Sequence, residues 1–214
     1  MPGRDFKVRL LKQAQRAGVL LLPRQIEQLE RYYDLLARWN VKVNLTALPL
    51  RPLTDAAVDR LFVEPLIAAR LIPDSPASWI DLGSGGGSPA LPLKIARPNL
   101  RLVMVEAKSR KAAFLREAIR TLNLDQATVE NTRFEELAER APSSAEIVTV
   151  RAVRPDARLI DAVVKLLRPA GVLLLFHSNR ATPTIPGFRE EQTPSAGSPD
   201  AGRISVLRRM GQPN

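Results

Sequence analysis

Residue types and spacing first imply chemistry in the segment Asp81-Leu82-Gly83-Ser84-Gly85-Gly86-Gly87-Ser88-Pro89. The apolar run Trp79 to Leu82 leads into a tight glycine turn, and Pro89 stands at an early helical position where a missing N–H costs nothing. Glycines in such a turn let backbone amides approach a ligand at a distance that a β-carbon forbids. A dinucleotide fingerprint, G-x-G-x-x-G, would need Gly at position 88, where Ser88 stands instead. The carboxylate precedes the turn, and Asp81 in that place suits a cationic ammonium group and repels a pyrophosphate. The pattern acid-x-G-x-G-x-G therefore favours S-adenosyl-L-methionine, cradled by Asp81, Gly83, Ser84, Gly85 and Gly87. Glu106 follows Gly83 by 23 residues at the end of the next apolar run, the place where a carboxylate accepts both ribose hydroxyls of an adenosine. It would also repel the 2′-phosphate of NADP, although Lys108 and Arg110 stand nearby.

A third informative place is Ile147-Val148-Thr149-Val150-Arg151. In a doubly wound sheet this strand end faces the crevice beside the first strand, so Arg151 can reach both cofactor and substrate. A guanidinium there suits a phosphate, a carboxylate or a purine edge. The alternative is a helix-start arginine paired with Glu146 or Asp156. No Asn-Pro-Pro-aromatic stretch follows the strand, which argues against amino methylation of adenine. The chain has no Cys, so a cysteine adduct at cytosine, disulfides and zinc-thiolate sites are excluded, and a reducing compartment is expected. With one His, His177, a multi-histidine metal site or a serine-histidine hydrolase has little material, and no metal is expected.

The 32 Lys and Arg against 22 Asp and Glu give a net charge of +10, which attracts polyanions, nucleic acid first among them. The alternative is a basic surface without functional consequence. No stretch approaches the ~18 uninterrupted apolar residues of a membrane span, and the Arg-studded start lacks the pattern of a secretory signal. A soluble cytoplasmic protein, with no membrane partner and a monomeric state, is the expectation.

These residues need elements to hold them. Ile26, Leu29, Tyr33 and Leu36 recur at helical spacing from Pro23 onward, and Phe6, Leu10 and Ala14 suggest a shorter helix ending at Gly18. Thr54 or Asp55 can cap a helix through Leu61 and Phe62, with Pro65 where it should bend or stop. Residues 1–76 thus form an N-terminal helical cap with a basic start, and Pro73 to Pro76 marks the boundary. Short apolar runs then alternate with helices over residues 77–214: strands at Trp79–Leu82, Leu102–Glu106, Thr128–Glu130, Ile147–Val150 and Val172–Phe176, helices at Ser109–Leu122 and Pro155–Leu167. That alternation is the signature of an α/β fold with a doubly wound, mostly parallel sheet and its first strand near the middle. Residues 179–202 hold four Pro and three Gly and read as a loop with a short strand near Phe188. Ile204–Leu207 alternates weakly into a last strand, followed by Arg208 and Arg209 as a solvated tail.

Over about Ile26 to Phe176 the chain resembles the GidB-type methyltransferases, which methylate N7 of a guanine in bacterial small-subunit ribosomal RNA. The resemblance rests on Leu35-Leu36-Ala37-Arg38-Trp39-Asn40-Val41-Lys42-Val43-Asn44-Leu45-Thr46, on the Asp81–Pro89 turn with Leu91-Pro92-Leu93, on Ser109-Arg110-Lys111 before Phe114-Leu115, and on Val150-Arg151-Ala152. It implies a Rossmann-like class I methyltransferase, cofactor contacts at Gly83, Ser88, Phe134, Glu135 and Arg151 with Glu106 on the ribose, and Arg151 as the catalytic residue. Phe134 and Glu135 fit locally as an aromatic face and an acceptor for adenine, or as an ordinary helix beginning with a core Phe. Trp39 and Phe114 read as core. The implied partner is ribosomal RNA or the small ribosomal subunit, met by Lys42, Asn44, Arg110 and Lys111, with phosphate contacts from Arg4, Lys7, Arg9, Lys12 and Arg16. Members usually carry His and Asp-Ser-Leu in the cap, where Leu61 and Glu64-Pro65-Leu66 stand, and a bulky apolar residue and Gly where Ser88 and Ala90 stand. The altered cap keeps two alternatives: a methyltransferase of the same fold on a small molecule or protein, and a non-catalytic RNA-binding module.

Overall fold

The computed structural model describes residues 2–72, 74–151, 156–177, 184–191 and 202–210. Helix α1 (Pro2–Arg16) and helix α2 (Pro23–Val43) lead the chain, α2 burying Leu29, Tyr32, Tyr33 and Leu36 along one stripe. A broken helix follows: α3 (Asp55–Val58), a π turn (Asp59–Val63), α4 (Glu64–Ala68) and a 3-10 turn (Ala69–Leu71). Thr54 caps it, its Oγ1 accepting from Ala57 N at 3.2 Å. The bend expected at Pro65 is present, displaced one turn earlier as the π turn. Here Glu64 N donates back five residues to Asp59 O, and Pro65 brings no N–H, so the turn is short of donors.

The cap is fastened by rings. Phe6 stacks on Tyr33 at 4.5 Å and meets Phe62 edge-on at 4.8 Å, tying α1, α2 and the π turn together. The apolar core does not divide near residue 76, because Phe6, Tyr33 and Phe62 belong to the same packed cluster as Trp79 and Phe114. Pro73, the first residue of the expected boundary, lies outside the described residues.

The sheet comprises β1 (Ser78–Leu82), β2 (Arg101–Val105), β3 (Ala127–Glu130), β4 (Ala145–Arg151), β5 (Leu167–His177), β6 (Phe188–Glu190) and β7 (Arg203–Arg209). Its order is β3-β2-β1-β4-β5-β7-β6, with β1 next to the central β4 and β1 to β5 parallel, as expected of a doubly wound sheet. Helices α5 (Ala90–Ala96), α6 (Ser109–Leu122), α7 (Phe134–Arg140) and α8 (Ala157–Leu166) make the crossovers. Helix α6 has the expected bounds and buries Ala112, Phe114, Leu115, Ala118 and Leu122 at three- and four-residue steps. Asp156 caps α8; Pro155, expected to open that helix, lies outside the described residues. Most of the 179–202 stretch is likewise outside them, and the strand near Phe188 is present as β6.

Two strands differ from expectation. Strand β5 starts at Leu167, five residues before Val172, because residues 168–171 bulge where the pairing with β4 jumps from Ala145↔Leu167 to Ile147↔Val172. Strand β7 includes Arg208 and Arg209, which are no solvated tail: Arg208 grips Glu191 through Nε and Nη2, and Arg209 donates to Leu167 O. Their alternation looked weak because β7 lies inside the sheet, between β5 and β6, so Ile204 through Leu207 are buried on both faces. Among the described residues no helix is long and apolar enough to cross a membrane.

Candidate active site

The chain leaves β1 through a turn closed almost wholly by backbone. Gly83 N and Ser84 N both donate to Val105 O, at 2.9 and 3.0 Å, and Gly87 N donates to Ser84 O at 2.7 Å. Gly83, Gly85 and Gly87 all have positive φ, at 69°, 51° and 87°. Glycine is required at 87 for a second reason: a β-carbon there would run into the Leu91 side chain at the start of α5. Glu106, just past β2, braces the turn from the side. Its Oε2 accepts Gly85 N at 2.9 Å and its Oε1 accepts Lys108 N at 2.8 Å, and each oxygen keeps a lone pair for a ligand hydroxyl.

The cap closes over this turn. Tyr32 Oη donates to Gly86 O at 2.7 Å. Asn40 clips the segment after α2, its Oδ1 accepting Leu45 N and Thr46 N at 2.7 and 2.9 Å and its Nδ2 donating to Thr46 O at 3.1 Å. That clip presses Leu45 so near the turn that a β-carbon on Gly86 would stand 3.0 Å from Leu45 O. The Asn of the Trp39-Asn40 pair is thus a loop fastener, while Trp39 packs edge-on against Phe114 at 5.8 Å and neither ring lines the cavity that results.

The cavity holds about 410 Å³ between sheet and cap. Gly83, Ser84, Gly85, Ser88 and Glu106 line its sheet side, Leu45 to Leu48 and Lys111 another, and Arg60, Leu61 and Arg151 the third. The third wall is built on the donor-poor π turn, whose carbonyls take side-chain donors. Ser88 Oγ donates to Leu61 O at 2.8 Å and Arg151 Nη1 donates to Arg60 O. Arg151 Nη2 meets Glu64 Oε2 at 2.8 Å, and its guanidinium lies over the Phe176 ring at 4.5 Å. Neither Glu146 nor Asp156 pairs with it: Glu146 accepts from Ser78, and Asp156 is spent on capping α8. Burial lowers the Arg151 pKa to about 10 while Glu64 pulls the other way, so the group is cationic at neutral pH.

Seven residues expected at the site therefore meet at one cavity: Gly83, Ser84, Gly85, Ser88, Glu106, Lys111 and Arg151. Others are placed elsewhere. Gly87 serves packing on α5. Asp81 lies beneath the turn, 1% exposed, its Oδ1 taking the Thr149 hydroxyl and its Oδ2 without a partner among the described residues. Burial pushes its pKa up to about 6, against the pull of its hydrogen bonds and of Arg151. Phe134 and Glu135 open α7 past β3, at the outer edge of the sheet, and do not line the cavity; the Phe134 ring packs on the apolar cluster shared with α8. Lys42, Asn44 and Arg110 are exposed and do not line it, Asn44 serving as the left-handed residue that ends α2.

Sequence reasoning passed over Arg60 and Glu64 as functional residues. The signal was present in their i, i+4 spacing just ahead of a proline.

Residues 25–197 match the model of a family described as rRNA small subunit methyltransferase G. Relatives named ribosomal RNA small subunit methyltransferase G include one from Roseiflexus sp., 44% identical over 77% of this chain and 70% of its own length. Another, from Chloroflexus aggregans, is 43% identical over 73% of this chain and 66% of its own. Among solved structures, Pyrococcus horikoshii TYW2 in complex with MeSAdo matches with a TM-score of 0.56 at 14% identity, over 69% of this chain and 62% of that one. A SAM-dependent methyltransferase from Aquifex aeolicus matches with a TM-score of 0.54 at 10% identity, over 73% and 93%.

Proposed function

The chain belongs to the GidB family of ribosomal RNA small-subunit methyltransferases, and from that premise we propose that it methylates N7 of an unpaired guanine in small-subunit ribosomal RNA. The carrying observation is one enclosure lined both by the glycine turn with Glu106 and by the cations Arg60, Lys111 and Arg151. Cofactor and polyanion find partners around the same space. The small ribosomal subunit lies in the cytoplasm, which makes that the working compartment.

The residues fit S-adenosyl-L-methionine, which supplies an electrophilic methyl group carried on sulfonium. Glu106 has free lone pairs for ribose hydroxyls, and the backbone of Gly83 to Gly85 is open to the cavity. Asp81 Oδ2, buried and unpartnered, holds its charge close beneath the turn, where it favours a cation above. Ser88 shapes the floor through its bond to Leu61 O and does not need to contact the cofactor to do so.

Guanine N7 carries a lone pair and no proton, so the reaction needs no general base. The protein's task is orientation: to hold N7 in line with the methyl carbon and to keep water out. Such alignment is worth roughly 7–11 kcal/mol in favourable cases. Arg151, fixed by Glu64, Arg60 O and Phe176, supplies a cation that cannot swing away. In A-form RNA, N7 lies in a deep, narrow groove that side chains do not enter, so the target must be in a loop or distorted helix.

Tritiated methyl transfer from labelled cofactor to small ribosomal subunits, followed by mapping of the modified nucleotide, tests this reading. Label on N7 of one guanine is expected. Transfer to a small molecule or protein alone, or RNA binding without transfer, would replace it with one of the two alternatives named above.

A further inference from the structure

Glu64 lies behind the cavity wall that Arg60 and Arg151 line, with a side chain only 2% exposed, and it is shared among three elements. Its Oε2 holds Arg151 Nη2 at 2.8 Å, and its Oε1 accepts Gly202 N, just before β7, at 2.7 Å. Arg60 Nη1 stands 3.6 Å from the same Oε1, inside electrostatic reach but beyond a hydrogen bond. One carboxylate therefore faces two guanidinium groups, and its hydrogen-bonding capacity goes to the other one.

The two arginines are in opposite conditions. Arg151 is committed through both terminal nitrogens, to Glu64 and Arg60 O, and lies over the Phe176 face; only its buried Nε is without a partner among the described residues. Arg60 lines the cavity, its side chain is 26% exposed, and among the described residues its guanidinium makes no hydrogen bond. Space for it is reserved: a β-carbon on Gly202 would overlap the Arg60 guanidinium. Glu64 gives its hydrogen bonds to Arg151 and Gly202, so Arg60 is the arginine of this wall whose donors are unspent.

We propose that Arg60 is a substrate-binding residue that grips a phosphodiester group of the RNA beside the methylated guanine, with Glu64 and Gly202 holding its guanidinium at the wall. This rests on the ribosomal RNA reading above. A planar fork of donors matches a phosphate in bidentate fashion. A second bidentate partner, the O6/N7 edge of guanine, is ruled out chemically, because a donor on N7 would occupy the lone pair that attacks the methyl group. A third, a carboxylate, could only be the cofactor's own, and the cofactor-affinity arm of the test below separates it from phosphate.

The test uses Arg60→Ala, Arg60→Gln and Arg60→Lys in the full chain with whichever RNA substrate the wild type methylates. Arg60→Ala and Arg60→Gln are expected to raise KM for RNA about tenfold, to lower the slope of log(kcat/KM) against log[salt] by about one, and to leave cofactor affinity by calorimetry unchanged. Arg60→Lys restores the slope and only part of the KM, since it keeps the charge and loses the fork. Arg60→Gln keeps the aliphatic stem and decides the matter should the alanine variant misfold. Wild-type KM and slope in Arg60→Gln would overturn the proposal, as would a parallel loss of cofactor affinity, which would make Arg60 a support of the cradle. A wild-type enzyme that methylates no RNA would instead overturn the function from which the proposal starts.

Discussion

The sheet-side and cap-side walls of the cavity are held by different kinds of bond. The glycine turn is closed by backbone amides and carbonyls within a few residues or one strand away, as in Gly87 N to Ser84 O and Gly83 N to Val105 O. The π-turn wall is closed by side chains that cross the molecule: Arg151 reaches Glu64 over 87 residues and Gly202 reaches it over 138. A backbone-built wall tolerates side-chain exchange wherever φ and space permit, so it suits a ligand shared by many enzymes. A side-chain-built wall can be rewritten one residue at a time, which suits the substrate side.

The largest test of this contrast is Arg151→Ala. It strands Glu64, a nearly inaccessible carboxylate, without its main partner, and breaking such a buried pair costs about 3–5 kcal/mol. Denaturant unfolding should show that loss together with loss of methyl transfer. A cost under about 1 kcal/mol would mean that the cap wall does not depend on the ion pair.

On the sheet side the corresponding test is Asp81→Asn, with the opposite sign. The Asp81 pKa is about 6 in the folded chain against 3.8 when free, so between those pH values the folded state alone holds the proton. Its contribution to stability therefore falls as pH rises from about 4 to about 6 and is level above that, a total of up to about 3 kcal/mol. Asp81→Asn should remove this slope, stabilise the ligand-free protein at pH 7 and weaken cofactor binding. Thermal melts across pH, set beside calorimetry, would read both; a variant less stable at pH 7 would show that burial is not what raises the pKa.

The smallest effect is at the joint between the walls. Ser88→Ala removes the donor to Leu61 O on a turn that Pro65 has already left short, and should cost about 1 kcal/mol with little change in cofactor affinity. A large fall in cofactor affinity would move Ser88 from the joint into the cradle.

The same contrast explains what was legible in the sequence. Strand β1, its turn, Glu106 and helix α6 are specified by neighbours in the chain, and periodicity with glycine spacing is enough to find them. Glu64 is tied to Arg151 and Gly202, both far away in the chain, with only its i, i+4 spacing from Arg60 to mark it locally, and nothing in the Pro- and Gly-rich stretch before β7 singles out Gly202. Asp81 was found by its position and misplaced by depth, since a residue that precedes a turn can lie under it. Phe134 was expected at the cavity because an aromatic after β3 can face a ligand, yet the cluster beneath α7 offers its ring an apolar contact. Arg208 and Arg209 read as a tail because a strand buried on both faces has no alternating pattern to display.

The π turn at Asp59–Val63 carries a constraint of length as well as composition. Each residue of a regular helix advances the winding by about 100°, and this segment runs wide by one residue before Glu64. Deleting any one of its five positions would restore ordinary winding and swing the carbonyls of residues 60 and 61 back along the helix axis, out of reach of β4 and the loop ahead of α5. Substitutions in this stretch change what the wall recognises, whereas a frame of different length would take the wall apart.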